Sequence, residues 1–77
     1  MPTILRLGPY RLYFHSHEPN EPPHIHVDRD AATAKFWLKP AGLASSEDFK
    51  PHELTKLLRL VQQHEKELVD AWNALHP

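Results

Sequence analysis

Apolar and polar residues alternate along the first half of the chain with a period of two. Tyr10, Leu12 and Phe14 alternate with Arg11, Tyr13 and His15. His24, His26 and Asp28 alternate with Ile25 and Val27, and Ala34, Phe36 and Leu38 with Thr33, Lys35, Trp37 and Lys39. That period marks half-buried β-strands, whose successive side chains point to opposite faces. With the apolar run Thr3–Leu7, set off by Gly8-Pro9 as a hairpin turn, it predicts four strands at about 3–7, 10–15, 24–28 and 33–39. The polar, proline-containing segment Ser16–Pro22 reads as a loop, Arg29-Asp30 as a tight connection, and Pro40 as a strand end.

The second half changes period. Leu54, Leu57, Leu58, Val61, Leu68, Trp72 and Leu75 recur at three- and four-residue steps, which predicts one helix over about 51–75. Pro51 suits the first helical position, and Lys50 then falls at the N-cap, where it is a poor capper. The stretch Gln62–Glu67 is polar all round, so a kink near Gln63 is compatible with the pattern. Residues 41–50 read as a connector anchored by Leu43 and Phe49. The expected fold is therefore α+β: a four-stranded, mostly antiparallel sheet with one long C-terminal helix packed on one face, in a single domain over 1–77.

One helix covers only one face of such a sheet. The alternation assigns Leu5, Leu7, Leu12, Phe14, Ile25, Val27, Phe36 and Leu38 to the covered face. It leaves Arg6, Arg11, Tyr13, His15, His24, His26, Lys35, Trp37 and Lys39 on the open one. A Trp and a Tyr on an uncovered face suggest a contact surface. Arg11, Tyr13, His24, His26, Lys35 and Trp37 are thus the expected interface.

Composition narrows the chemistry. The chain has 77 residues, no cysteine, nine Lys and Arg, ten Asp and Glu, and a formal net charge of −1. Disulfides and thiolate metal sites are excluded. The charge gives little support to nucleic-acid binding, where Lys and Arg supply most of the affinity. The N-terminal stretch lacks a charged segment followed by a long apolar run, and no window approaches the ~20 apolar residues of a membrane span. A cytoplasmic protein that does not meet a membrane is expected.

Histidine is the feature left over. His15, His17, His24 and His26 form two His-x-His pairs within twelve residues. On a strand, His24 and His26 share a face. The four are candidate ligands for zinc or another divalent transition metal, with Glu18 or Glu21 to complete a site. His24 and His26 are alternatively a candidate acid–base pair for RNA cleavage, an anion site, or structural side chains bonded to the loop. No cofactor is required by the favoured reading. No serine elbow, phosphate loop or cysteine nucleophile is present.

The chain resembles a family of small bacterial proteins catalogued as domain of unknown function 4160. The resemblance is carried by Tyr10-Arg11-Leu12-Tyr13-Phe14, by Glu18 with Glu21-Pro22-Pro23-His24-Ile25-His26-Val27, and by Ala34-Lys35-Phe36-Trp37-Leu38-Lys39-Pro40. Leu43-Ala44, Glu53-Leu54 and Ala71-Trp72 extend it over nearly the whole chain. It departs at Lys50, where similar sequences more often carry Ser. The resemblance implies a small α+β fold and a gene neighbour from a second small family, arranged like a toxin–antitoxin module. It implies no reaction, substrate or ligand. Together these readings lead to an expected protein–protein interaction module. Its partner would be the product of a neighbouring gene, a second copy of the chain, or both. The rival expectation is a small histidine-based or metal-dependent nuclease or hydrolase using the His-x-His surface.

Overall fold

The structure, a computed structural model, describes residues 3–15 and 20–76. Five strands form one antiparallel sheet in the order β1-β2-β3-β4-β5: β1 Thr3–Leu7, β2 Tyr10–Tyr13, β3 His24–Arg29, β4 Ala32–Leu38 and β5 Ala41–Glu47. Two helices follow, α1 Pro51–Gln63 and α2 Glu65–Leu75. The expected four-stranded sheet with one long helix is corrected on both counts.

The fifth strand comes from the stretch read as a connector. Ala41-Gly42-Leu43-Ala44-Ser45-Ser46-Glu47 has no apolar alternation, so its side chains do not announce a strand. It forms because its backbone completes the ladder of β4: Trp37 pairs with Gly42, Leu38 with Ala41 and Thr33 with Glu47. A bulge interrupts the pairing, since Lys35 meets Ser45 while the next residue, Phe36, meets Leu43.

The helix breaks at His64, whose φ of −106° and ψ of 14° leave helical geometry. Its N–H still reaches the carbonyls of Leu60 and Val61, and its own carbonyl accepts from the N–H of Leu68. The break thus changes direction with little loss of hydrogen bonds. It falls where no apolar side chain ties the chain to the sheet, at the start of the polar stretch 62–67. Beyond it, Leu68 and Trp72 are buried again.

The core lies between the sheet and the helices. Leu12, Ile25, Val27, Phe36 and Leu38 from the strands pack with Leu57, Val61, Leu68 and Trp72 from the helices. Tyr10, Phe14 and Phe49 close its margins, and Leu58 is partly buried against it. Cross-strand pairing explains this side of the sheet: Leu5 faces Leu12, Leu12 faces Val27, and Ile25 faces Phe36.

A polar tie orients α1. The Glu53 carboxylate, in the first turn, accepts from Tyr10 Oη at 2.7 Å, from Arg29 Nε at 2.7 Å and from Arg29 Nη2 at 2.9 Å. Such a bidentate pair has a fixed geometry. It pins the start of α1 to β2 and β3.

Candidate functional site on the helix-free sheet face

The opposite face of the sheet is built from two cross-strand rows and a shorter end row. Arg11, Asp28, Thr33 and Glu47 form one row; Tyr13, His26, Lys35 and Ser45 form the next; His24, Trp37 and Gly42 form the last. Period-two alternation puts these side chains on one face, and antiparallel register lines them up.

The rows are tied together. Asp28 accepts from the Tyr13 hydroxyl at 3.0 and 3.1 Å and from Thr33 Oγ1 at 2.8 Å. Burial, and then the hydrogen bond to Asp28, push the Tyr13 phenol up from its ordinary value, so it stays a donor through the physiological range. Arg11 stacks over the Tyr13 ring at 4.4 Å, and Lys35 Nζ over Trp37 at 4.9 Å. Lys35 also bonds the Glu21 carboxylate at 2.6 Å, which brings the proline-rich segment back over the sheet.

Three imidazoles make a contiguous line. The rings of His15 and His26 are 4.0 Å apart and nearly perpendicular, and those of His26 and His24 are 5.2 Å apart. Tyr13 stacks on His26 at 5.5 Å. His24 is 0% exposed. Its ring sits against Trp37 at 5.9 Å and against Trp72 of α2 at 5.0 Å, while Trp72 also meets Phe14 at 5.4 Å. Trp72 therefore lies across the end of the sheet and seals His24. His24 Nδ1 is 2.8 Å from the carbonyl of Pro22, so Nδ1 carries the proton and donates. Its Nε2 points towards Glu21, 3.9 Å from a carboxylate oxygen.

Of the six expected interface residues, all lie on this face, but to unequal depth. Trp37, Lys35 and Arg11 are half-buried. Tyr13 and His26 are 9% and 8% exposed, and His24 is inside the domain. Among the described residues no group of three His, Cys, Asp or Glu side chains is arranged to hold a metal ion. Of the four expected ligands, His15, His24 and His26 are brought together, and His17 lies outside the described residues.

Beside the imidazoles runs a groove of about 270 Å³ whose lining includes His15, His26, Thr33, Lys35, Ser45 and Glu47. Sequence reasoning missed its β5 wall and missed Glu21 as the partner of Lys35. A signal existed for Thr33: it sits opposite Asp28 across the hairpin that Arg29-Asp30 announces. None existed for Ser45 and Glu47, which depend on recognising β5.

Among the described residues, no helix is long and apolar enough to cross a membrane. No curated protein and no solved structure matches this chain. A family profile, described as a domain of unknown function (DUF4160), matches residues 10–73. That span takes in β2 to β5, α1 and most of α2, including every pair of side chains just described on the helix-free face, and the chain belongs to the DUF4160 family.

Proposed function

We propose that the chain is a cytoplasmic protein–protein interaction module, one component of a two-gene toxin–antitoxin-like pair, and that its helix-free sheet face meets the product of the neighbouring gene. One observation carries this reading: the helices pack against the other side of the sheet, with only Trp72 of α2 reaching round its end to His24, and the helix-free face keeps a groove of about 270 Å³ walled by Lys35 and Glu47 together with imidazoles and hydroxyls. Acid and base alternate there, with Glu21 against Lys35 and Asp28 in the row of Arg11. Mixed charge suits a folded protein surface, and a polyanion would be repelled by the carboxylates. The side chains are already held by one another, so little rotamer freedom is lost on binding.

The rival nuclease reading draws on His15, His26 and Lys35 lining one groove. It is less well supported. General acid and base must flank the scissile phosphate, and imidazoles 4.0 Å apart leave no room for a phosphate between them. His24, the other candidate, is sealed.

The test is calorimetric titration of the purified chain with the neighbouring gene product. Saturable binding is expected. Trp37→Ala and His15→Ala should each weaken it at least about tenfold while the circular dichroism spectrum stays that of the folded domain. Absence of binding, or binding indifferent to both substitutions, would sink the reading. Cleavage of a fluorogenic RNA by the chain alone, abolished in His15→Ala, would put the nuclease first.

A further inference from the structure

The sheet has two edges, and they are treated differently. An edge strand presents unpaired backbone groups, and proteins blunt it with short length, charge, proline or cover. β1 has five residues, carries Arg6 next to its last position and is followed by Gly8-Pro9. β5 has seven, with neither proline nor lysine inside it, and most of them are exposed. No described strand lies beyond it. Its side chains are small except for Leu43, which is 44% exposed and, with Leu75, one of two large exposed apolar residues among those described.

We propose that β5 pairs antiparallel with β5 of a second copy of this chain, across a two-fold axis at the bulge, joining the two sheets into one. The bulge supplies the first argument. Gly42 and Ser45 both belong to the helix-free face, because they pair with Trp37 and Lys35; Ala41 and Ser46 both belong to the helix side, because they pair with Leu38 and Ala34. In a regular strand, residues an odd number apart face opposite ways. The extra residue, Ala44, restores the match. A two-fold register pairing Gly42 with Ser45 and Ala41 with Ser46 of the second copy therefore keeps each of these pairs on one face, and sets Leu43 beside Ala44 at the axis.

Charge supplies the second argument. The same register carries the turn residue Lys39 of each copy to Glu47 and Asp48 of the other, at both ends of the paired strands. All three are exposed, and no ion pair among the described residues uses them. At the centre each Leu43 is covered by the other copy. An isologous interface needs such self-complementarity, and this one closes on itself. It leaves Trp37 and His15 outside the pairing, so it extends the partner reading above without depending on it.

Sedimentation equilibrium of the purified chain tests the proposal. A concentration-dependent dimer is expected. Leu43→Lys, which sets two ammonium groups at the axis, should raise the dimer dissociation constant at least about tenfold. Lys39→Glu, which sets acid against acid, should do the same, and the double variant Lys39→Glu, Glu47→Lys should recover most of the loss. The chain has no cysteine, so Leu43→Cys should form a disulfide-linked dimer on oxidation, and Thr55→Cys on the exposed side of α1 should not. A monomer at high micromolar concentration in all of these would overturn the proposal. So would a dimer indifferent to Leu43→Lys and Lys39→Glu. A dimer dissociated by Trp37→Ala would place self-association on the sheet face and overturn it as well.

Discussion

Lys50 occupies the N-cap of α1 in extended conformation, with φ −81° and ψ 155°, and its side chain makes no capping hydrogen bond. Its carbonyl already accepts from the N–H groups of Glu53 and Leu54, so the backbone is in place for a cap. A short side-chain oxygen there would satisfy an orphan N–H of the first turn. Lys50→Ser should stabilise the domain by about 0.5–2 kcal/mol, read as a rise in the urea midpoint at constant slope. Lysine is also the wrong charge for the positive end of a helix dipole, so the gain should shrink in high salt. His24 shows the same dependence of a side chain on its setting. Its type is polar and its strand position is on the helix-free face, yet Trp72 and the Pro22 carbonyl make it part of the interior.

At the scale of elements, the start of α1 is tied to the sheet by one carboxylate. Glu53 is held below its ordinary value of 4.5, first by the hydrogen bond from Arg29, then by that from Tyr10. A carboxylate with a depressed value in the folded state contributes stability that is present above the ordinary value and lost as pH falls through the folded one. Glu53→Gln should therefore cost most at neutral pH, and the gap between variant and parent should close on acidification below 4.5. Urea unfolding at a series of pH values measures both curves. Parallel curves would mean that the carboxylate's charge adds nothing. Burial and the same carboxylate push the Tyr10 phenol upward, so the hydroxyl remains a donor to Glu53 across this range. The joint at His64 is the complementary device at the far end of α1. It bends the helical pair where polar residues leave nothing to pack, and Trp72 then reaches Phe14 and His24.

The whole molecule has one core, formed by the sheet and both helices. A domain of this size has about 5 kcal/mol or little more to lose. Phe36 is at its centre, 0% exposed, between Ile25 and Leu43 in the register. Phe36→Ala should cost roughly 3–5 kcal/mol and leave much of the population unfolded. Because the core is shared, far-ultraviolet circular dichroism and Trp fluorescence should report the same transition. Separate transitions would show that the helices unfold independently of the sheet. The two surfaces proposed above for binding, the helix-free face and the β5 edge, both lie outside this core.

Where side-chain period and burial agree, the elements were legible without the structure. β3 and β4 alternate so regularly that their faces could be assigned, and the leucine spacing of 54–61 marks α1. That His24 and His26 share a face was legible too, because strand geometry alone puts one beside the other. The rest was decided by neighbours distant in the chain. β5 is a strand because β4 offers it a backbone ladder, and its small side chains carry no pattern to read. The polar stretch 62–67 permitted a break, but that it falls at His64 shows only in the backbone, with Val61 buried before it and Leu68 after it. Glu53 and Tyr10 are 43 residues apart, and Glu53 and Arg29 are 24. No local spacing brings them together. The burial of His24 belongs to the same class, since the ring that closes over it arrives with α2. Local period is a property of the sequence; which backbone and which ring lie next to a residue is a property of the packed chain.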